Sequence, residues 1–168
     1  DNGFDEIIIA DSHGPMVNIE IDNLPKYCQI VRGNPRPISM VAGIENCDAA
    51  LFLGYHAKFG TAKSTFDHTY SGGTIHQVLI NGVPVSEFLL NAYTAGEYDI
   101  PVILVAGDER LLIDDVEPFA PWAERVSFKH SFSRLSAISP SMQLIKEKLQ
   151  QGTLDAIKNF RNHEVKAL

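Results

Sequence analysis

The sequence predicts an α/β protein: a mostly parallel sheet flanked by helices, with a β-hairpin inserted before a helix. Three observations carry this. Apolar runs of strand length alternate with helix-length segments along the chain. Those runs lack strict alternation, which suits strands buried on both faces of a parallel sheet. An Asn-Gly pair, Asn81-Gly82, stands between two apolar runs, a strong short-range hairpin signal.

The elements follow in order. Ile7-Ile8-Ile9-Ala10 is a short β-branched run that stops at Asp11-Ser12-His13-Gly14. Residues 28–31 form a second expected strand. Residues 49–53 form a third, stopping at Gly54-Tyr55-His56, and 102–105 a fourth, stopping at Ala106-Gly107-Asp108. The hairpin strands are expected over 75–80 and 83–85, with His76 a solvent-facing strand residue. After Pro84 the period changes. Phe88, Leu89, Ala92, Tyr93 and Ala95 make an apolar stripe that predicts a helix from about Ser86 to Tyr98. Ser139-Pro140 is expected to open the last helix, Ser as cap and Pro at the first helical position. Gly152-Thr153 is a candidate break within it. The expected division is an α/β domain over 1–138 and a helical segment over 139–168.

Composition bounds the function. The chain has 168 residues, 45% hydrophobic and 21% charged, ordinary for a soluble globular protein. No apolar stretch reaches the roughly 20 residues of a membrane span. The net charge is -7, and the 14 Lys and Arg residues are scattered. A nucleic-acid surface needs a basic stripe, so neither nucleic acid nor membrane is an expected partner. Cys28 and Cys47 are too few for a disulfide framework and read as small buried hydrophobes, which points to the cytoplasm. Asp1-Asn2-Gly3-Phe4 lacks the basic start and apolar stretch of a signal peptide. It also lacks an initiating Met, so the chain is read as a piece of a longer one.

His13, His56 and Asp108 each follow a predicted strand. In a parallel sheet the carboxyl ends of the strands share one edge, where open α/β folds bind ligands. Two histidines from different strands could converge there on one ion, with a carboxylate from a third element completing the site. Glu87, just after the hairpin, is the candidate carboxylate, although an acid in a first helical turn also simply complements the helix dipole. A lone histidine after a strand is more often structural than ligating. Asp11-Ser12-His13 is not a catalytic triad, because adjacent residues cannot face one another as a triad requires. Asp11 can still support His13 from behind. The segment from Asp67 to Gly73 reads as a polar, glycine-rich loop. There is no Cys-x-x-Cys, His-Glu-x-x-His or phosphate-binding glycine loop.

The ordered set of segments says more than any one of them. Asp11-Ser12-His13, Leu51-Phe52-Leu53-Gly54-Tyr55-His56-Ala57 and His68-Thr69-Tyr70-Ser71-Gly72 come first. Then follow Ile80-Asn81-Gly82-Val83-Pro84-Val85-Ser86-Glu87, Leu90 to Gly96, Pro101 to Asp108, Ser133-Arg134 and Leu135 to Pro140. Over nearly the whole chain this resembles the D-aminopeptidase (DppA) family of zinc peptidases. The resemblance implies that His13, His56 and Glu87 are metal ligands and that His68 is a catalytic residue that does not ligate. It further implies two zinc ions with a bridging water, cleavage of amino-terminal D-residues from short peptides, and assembly into homo-oligomeric rings. The family also uses an Asp-x-Glu pair on its first strand and continues past the last helix. No segment before Ile7 matches that pair, so three of five ligands are expected here.

Overall fold

The computed structural model describes residues 3–168. The chain forms two units, Asp1–Asp48 and Ala49–Leu168.

In the first unit, Ile7–Ala10 (β1) and Cys28–Val31 (β2) pair in parallel, Ile7 beside Cys28 through Ala10 beside Val31. Two short 3-10 turns, Ser39–Val41 and Ile44–Asn46, follow. Asp11 is buried at the end of β1. Its Oδ2 accepts the backbone N–H groups of Asn18 and Ile19, and its Oδ1 accepts the Asn18 amide at 3.1 Å. Burial alone would raise this carboxyl group's pKa. The donated N–H bonds outweigh burial and hold the pKa below the usual value. The turn after β1, on which His13 sits, is therefore pinned by a charged acceptor.

In the second unit, Ala50–Tyr55 (β3), Val102–Asp108 (β6) and Glu124–Ser133 (β7) are parallel in the order β3-β6-β7. Ser136–Ile138 (β8) adds an antiparallel edge to β7. Leu79–Ile80 (β4) and Val83–Pro84 (β5) form the hairpin, followed at once by helix α1, Glu87–Gly96. Asp108 caps the short helix α2, Glu109–Leu111, accepting the Arg110 N–H at 2.9 Å. A π turn, Leu112–Val116, and helix α3, Glu117–Phe119, continue the run. The last helix is α4, Met142–Arg161.

All seven residues of β6 are buried, so an uninterrupted apolar run has become the central strand. Phe88 and Leu89 of α1, Leu111, and Ile103 and Leu104 of β6 are wholly inaccessible. Each such side chain is worth about 1.5–3 kcal/mol of transfer energy.

The α/β class, the parallel pairing and the hairpin before a helix are as the sequence predicts. Several details differ. The hairpin strands are two residues each, and His76 lies in a bend outside them, exposed and with its ring 4.8 Å from that of Phe59. The last helix begins two residues later than expected, because Ser141 rather than Ser139 accepts the capping N–H, from Leu144 at 3.3 Å. Gly152 does not break α4. It lies against β7, where a Cβ would stand 2.6 Å from Val126 Cγ2, so the missing side chain sets how closely the helix packs. Both cysteines are half-buried free thiols rather than fully buried ones. Strands β7 and β8 and the helical run 109–119 were not anticipated.

Candidate metal centre

His56 is delivered by the end of β3. Gly54 takes a left-handed backbone, φ +80°, and the register with β6 shifts between Leu53 and Tyr55. Opposite, Gly107 admits the Tyr55 carbonyl so closely that a Cβ would meet it at 2.0 Å. Glycine is required there by contact with backbone. The strand thus leaves the sheet at a fixed angle with His56 as its next residue.

Glu87 is delivered by the hairpin. Asn81 and Gly82 both have positive φ, 51° and 82°, as a tight two-residue turn requires. Ser86 then caps α1, its hydroxyl accepting the Leu89 N–H, and Glu87 is the first helical residue. The helix terminus favours its negative charge. The side chain is nevertheless buried, and its Oε1 accepts the Tyr70 N–H at 2.8 Å.

His68 lies on the long connection between β3 and β4, which has no regular structure of its own. Local bonds tie it down. His68 N–H donates to Ala57 O at 3.1 Å, and Thr69 Oγ1 donates to Val85 O at 3.1 Å. Asp108, fully buried, accepts the Ser131 hydroxyl and the Thr65 N–H. Asp108 therefore organises the loop from beneath.

These three elements converge. His56 Nε2 lies 3.7 Å from Glu87 Oε2, and His68 Nε2 lies 3.7 Å from Glu87 Oε1. The two imidazoles stack, with centroids 4.1 Å apart and planes 23° apart. One donor atom from each of the three residues falls within 4.8 Å of the others.

The hydrogen-bond partners fix which electron pairs face the centre. His56 Nδ1 meets the Ala57 carbonyl at 3.2 Å, and His68 Nδ1 meets the Phe66 carbonyl at 2.6 Å. A carbonyl only accepts, so each Nδ1 carries a proton, and in the neutral tautomer that this selects Nε2 turns its lone pair toward the carboxylate. Burial is the main cause that holds the His56 pKa below the ordinary histidine value, so its ring favours the neutral form. Two lone pairs and a carboxylate facing one another repel unless a proton or a cation lies among them. Nitrogen and oxygen donors of this kind suit zinc, and a ligating histidine typically gives its other N–H to a carbonyl, as both do here.

Of the residues singled out in the sequence, His56, Glu87 and His68 are brought together. His13 belongs to the first unit, exposed after β1, where its carbonyl accepts the Met16 N–H at 2.9 Å and the Asn18 amide at 2.6 Å. Asp108 shares the strand-end position but is occupied with loop bonds. The Tyr70 N–H and the Asp67–Arg134 pair, at 3.2 Å, had no recognisable signal in the sequence. Phe66 and Tyr70 take positive φ, 56° and 61°, without being glycine, so nothing marked the turns that aim His68.

The fold and the site define a class: an α/β protein that gathers a His–His–Glu donor set beyond the end of a parallel strand. The family is specific. The chain belongs to the D-aminopeptidase family (Peptidase_M55), which it matches over residues 1–168. It is 37% identical over 143 residues to the D-aminopeptidase of Bacillus subtilis (strain 168), covering 83% of this chain and 51% of that protein. It is also similar to a solved structure, the Zn-dependent D-aminopeptidase DppA from Bacillus subtilis, described as a self-compartmentalizing protease. That likeness has a TM-score of 0.92 at 34% identity, over 99% of this chain and 60% of that one. The chain thus spans about half the length of the curated relative it matches.

Proposed function

We propose that the protein is a zinc-dependent aminopeptidase that releases amino-terminal D-residues from short peptides. The observation that carries this is the inward-facing set of two imidazole lone pairs and a buried carboxylate, in a chain of the D-aminopeptidase family. Similarity to a Zn-dependent, self-compartmentalizing relative supports the metal and a homo-oligomeric ring.

In this proposal His13, His56 and Glu87 are ligands in a two-ion centre that an Asp-x-Glu pair completes. Zinc, when bound, polarises a carbonyl and lowers the pKa of bound water. The chain's own residues do the rest. Glu87 is held by the Tyr70 N–H so that one oxygen stays oriented while the other faces His56. His68, its Nδ1–H tied to Phe66 O, keeps Nε2 free to accept a proton from the attacking water and return it to the leaving amine. Placement in the cytoplasm and the segment 139–168 as the lead into a further region belong to the same proposal.

The test uses the full-length protein. His68→Ala should lower hydrolysis of D-Ala-D-Ala by at least about 100-fold while zinc content stays at the wild-type level. Unchanged turnover removes the catalytic role. Loss of zinc would instead make His68 a ligand, which its equal distance from Glu87 also accommodates. His56→Ala should reduce zinc, and full occupancy would argue against coordination.

A further inference from the structure

A reactive histidine on a loop without regular structure needs something to hold it, because small displacements cost rate. One side chain from another element grips the residues immediately before His68. Arg134, in the turn between β7 and β8, places Nε 3.2 Å from Asp67 Oδ1 and donates from Nη2 to the Asp67 carbonyl at 3.3 Å. Its own carbonyl accepts the Phe66 N–H at 2.9 Å. Its guanidinium lies over the Phe59 ring, 5.0 Å from the centroid. Asp67 is buried, and its other oxygen accepts the Gly60 N–H at 2.6 Å, so the carboxylate joins Arg134 to the near end of the loop. A Cβ on Gly72 would stand 3.2 Å from Arg134 Nη2 and 3.3 Å from His68 Cβ, so both flank the same glycine.

We propose that Arg134 is the positioning residue for His68: its fork fixes the 66–68 backbone and so sets where the His68 ring stands against Glu87. This rests on the catalytic role given to His68 above. Two directions of contact are needed at once, one to a carboxylate and one to a carbonyl, with a flat face on an aromatic ring. Guanidinium supplies all three. The ammonium of lysine has three donors but all on one atom, so it lacks the planar fork that reaches a carboxylate and a carbonyl together, and it has no flat face to stack. Among the described residues Arg134 makes no hydrogen bond or ion pair with His56 or Glu87, so its action passes through the loop.

The experiment is a double-mutant cycle in the full-length, zinc-loaded protein. Arg134→Ala should lower kcat by about 100-fold with little change in KM, with zinc content at the wild-type level. Added guanidinium ion at millimolar concentration should restore part of kcat. In a His68→Ala background, Arg134→Ala should cause no further loss of the residual rate, because the group it positions is gone. Multiplying losses, or a zinc-loaded Arg134→Ala protein with full kcat, overturns the proposal. If Arg134→Ala does not fold, Arg134→Lys decides: reduced kcat with zinc retained is expected, and wild-type kcat refutes. Full turnover in His68→Ala alone overturns this proposal together with the catalytic role. A dead His68→Ala beside an unaffected Arg134→Ala overturns this proposal only.

Discussion

Replacing Gly107 with Ala tests the link between sheet geometry and the metal centre. The added Cβ would fall 2.0 Å from Tyr55 O and 2.9 Å from both Tyr55 C and Tyr55 N. Nonbonded carbon contacts settle at about 3.5–4 Å, so the β3–β6 pair must open by more than about 1 Å. The obstruction is backbone in a hydrogen-bonded strand, not a side-chain tip that can swing away. Overpacking costs about 1–3 kcal/mol, and a backbone neighbour puts this case at the upper end, about 3 kcal/mol. For a chain of this size that is a fall in Tm of about 6–12 °C. Tyr55 precedes His56, so the opening also shifts a proposed ligand, and kcat should drop by roughly 100-fold. The assay is thermal unfolding of the full-length protein followed by zinc analysis and turnover. Gly73→Ala is the control, since a Cβ there meets nothing within 4 Å, and its stability should change by less than about 0.5 kcal/mol. A Tm for Gly107→Ala within about 2 °C of wild type, with turnover intact, would refute the reasoning.

Three other expectations follow from single contacts. Asp108→Ala removes an acceptor from Ser131 Oγ, Thr65 N and Arg110 N in a fully buried place. Stranded donors make this a loss of about 3 kcal/mol in denaturant unfolding, and a loss below about 1 kcal/mol would show that Asp108 does not organise the loop. Gly152→Ala gains up to about 1 kcal/mol of helix propensity. Its Cβ meets Val126 Cγ2 at 2.6 Å, and overpacking of about 1–3 kcal/mol outweighs the gain. Net destabilisation is expected, and a raised Tm would show that α4 moves freely on the sheet. Burial first, then the nearby Asp48, Glu45 and Glu6 carboxylates, push the Cys47 thiol above the ordinary value of 9.0. The folded state keeps its proton longer, so this group's contribution to stability is present below pH 9.0 and declines as pH rises beyond it. Alkylation at pH 8 should be slower at Cys47 than in a free cysteine peptide, and equal rates would contradict the burial.

The α/β layout was legible because its strongest elements obey one rule each. β6 is an uninterrupted apolar run, α1 a 3.6-residue stripe, and the hairpin an Asn-Gly turn. β7 was missed although Val126, Phe128 and Phe132 alternate with polar residues; its buried positions, Val126 and Ser131, do not follow that alternation, and the strand is only partly buried. Gly152 misled because a mid-helix glycine weakens propensity, whereas here packing against Val126 decides. At the site, local sequence supplied His56 and Glu87 as ends of elements, and the family resemblance separated His68 from its bland loop. What could not be read was the scaffold of that loop. Asp67, Thr65 and Ser131 act through bonds to residues far away in sequence, and the left-handed turns at Phe66 and Tyr70 fall on residues that give no hint of them.

Glu87 answers to two masters. It begins α1 and receives the Tyr70 amide, and those duties would persist in a descendant that had abandoned chemistry altogether. Its presence in a relative is therefore weak testimony to an active enzyme. Among the described residues the His68 ring bonds to a carbonyl two residues back, and its other contacts, Glu87 and His56, belong to the centre itself. On the proposed catalytic role, drift would erase His68 before Glu87 in a relative that had lost activity, so the histidine on the loop, rather than the acid on the helix, is the residue to compare.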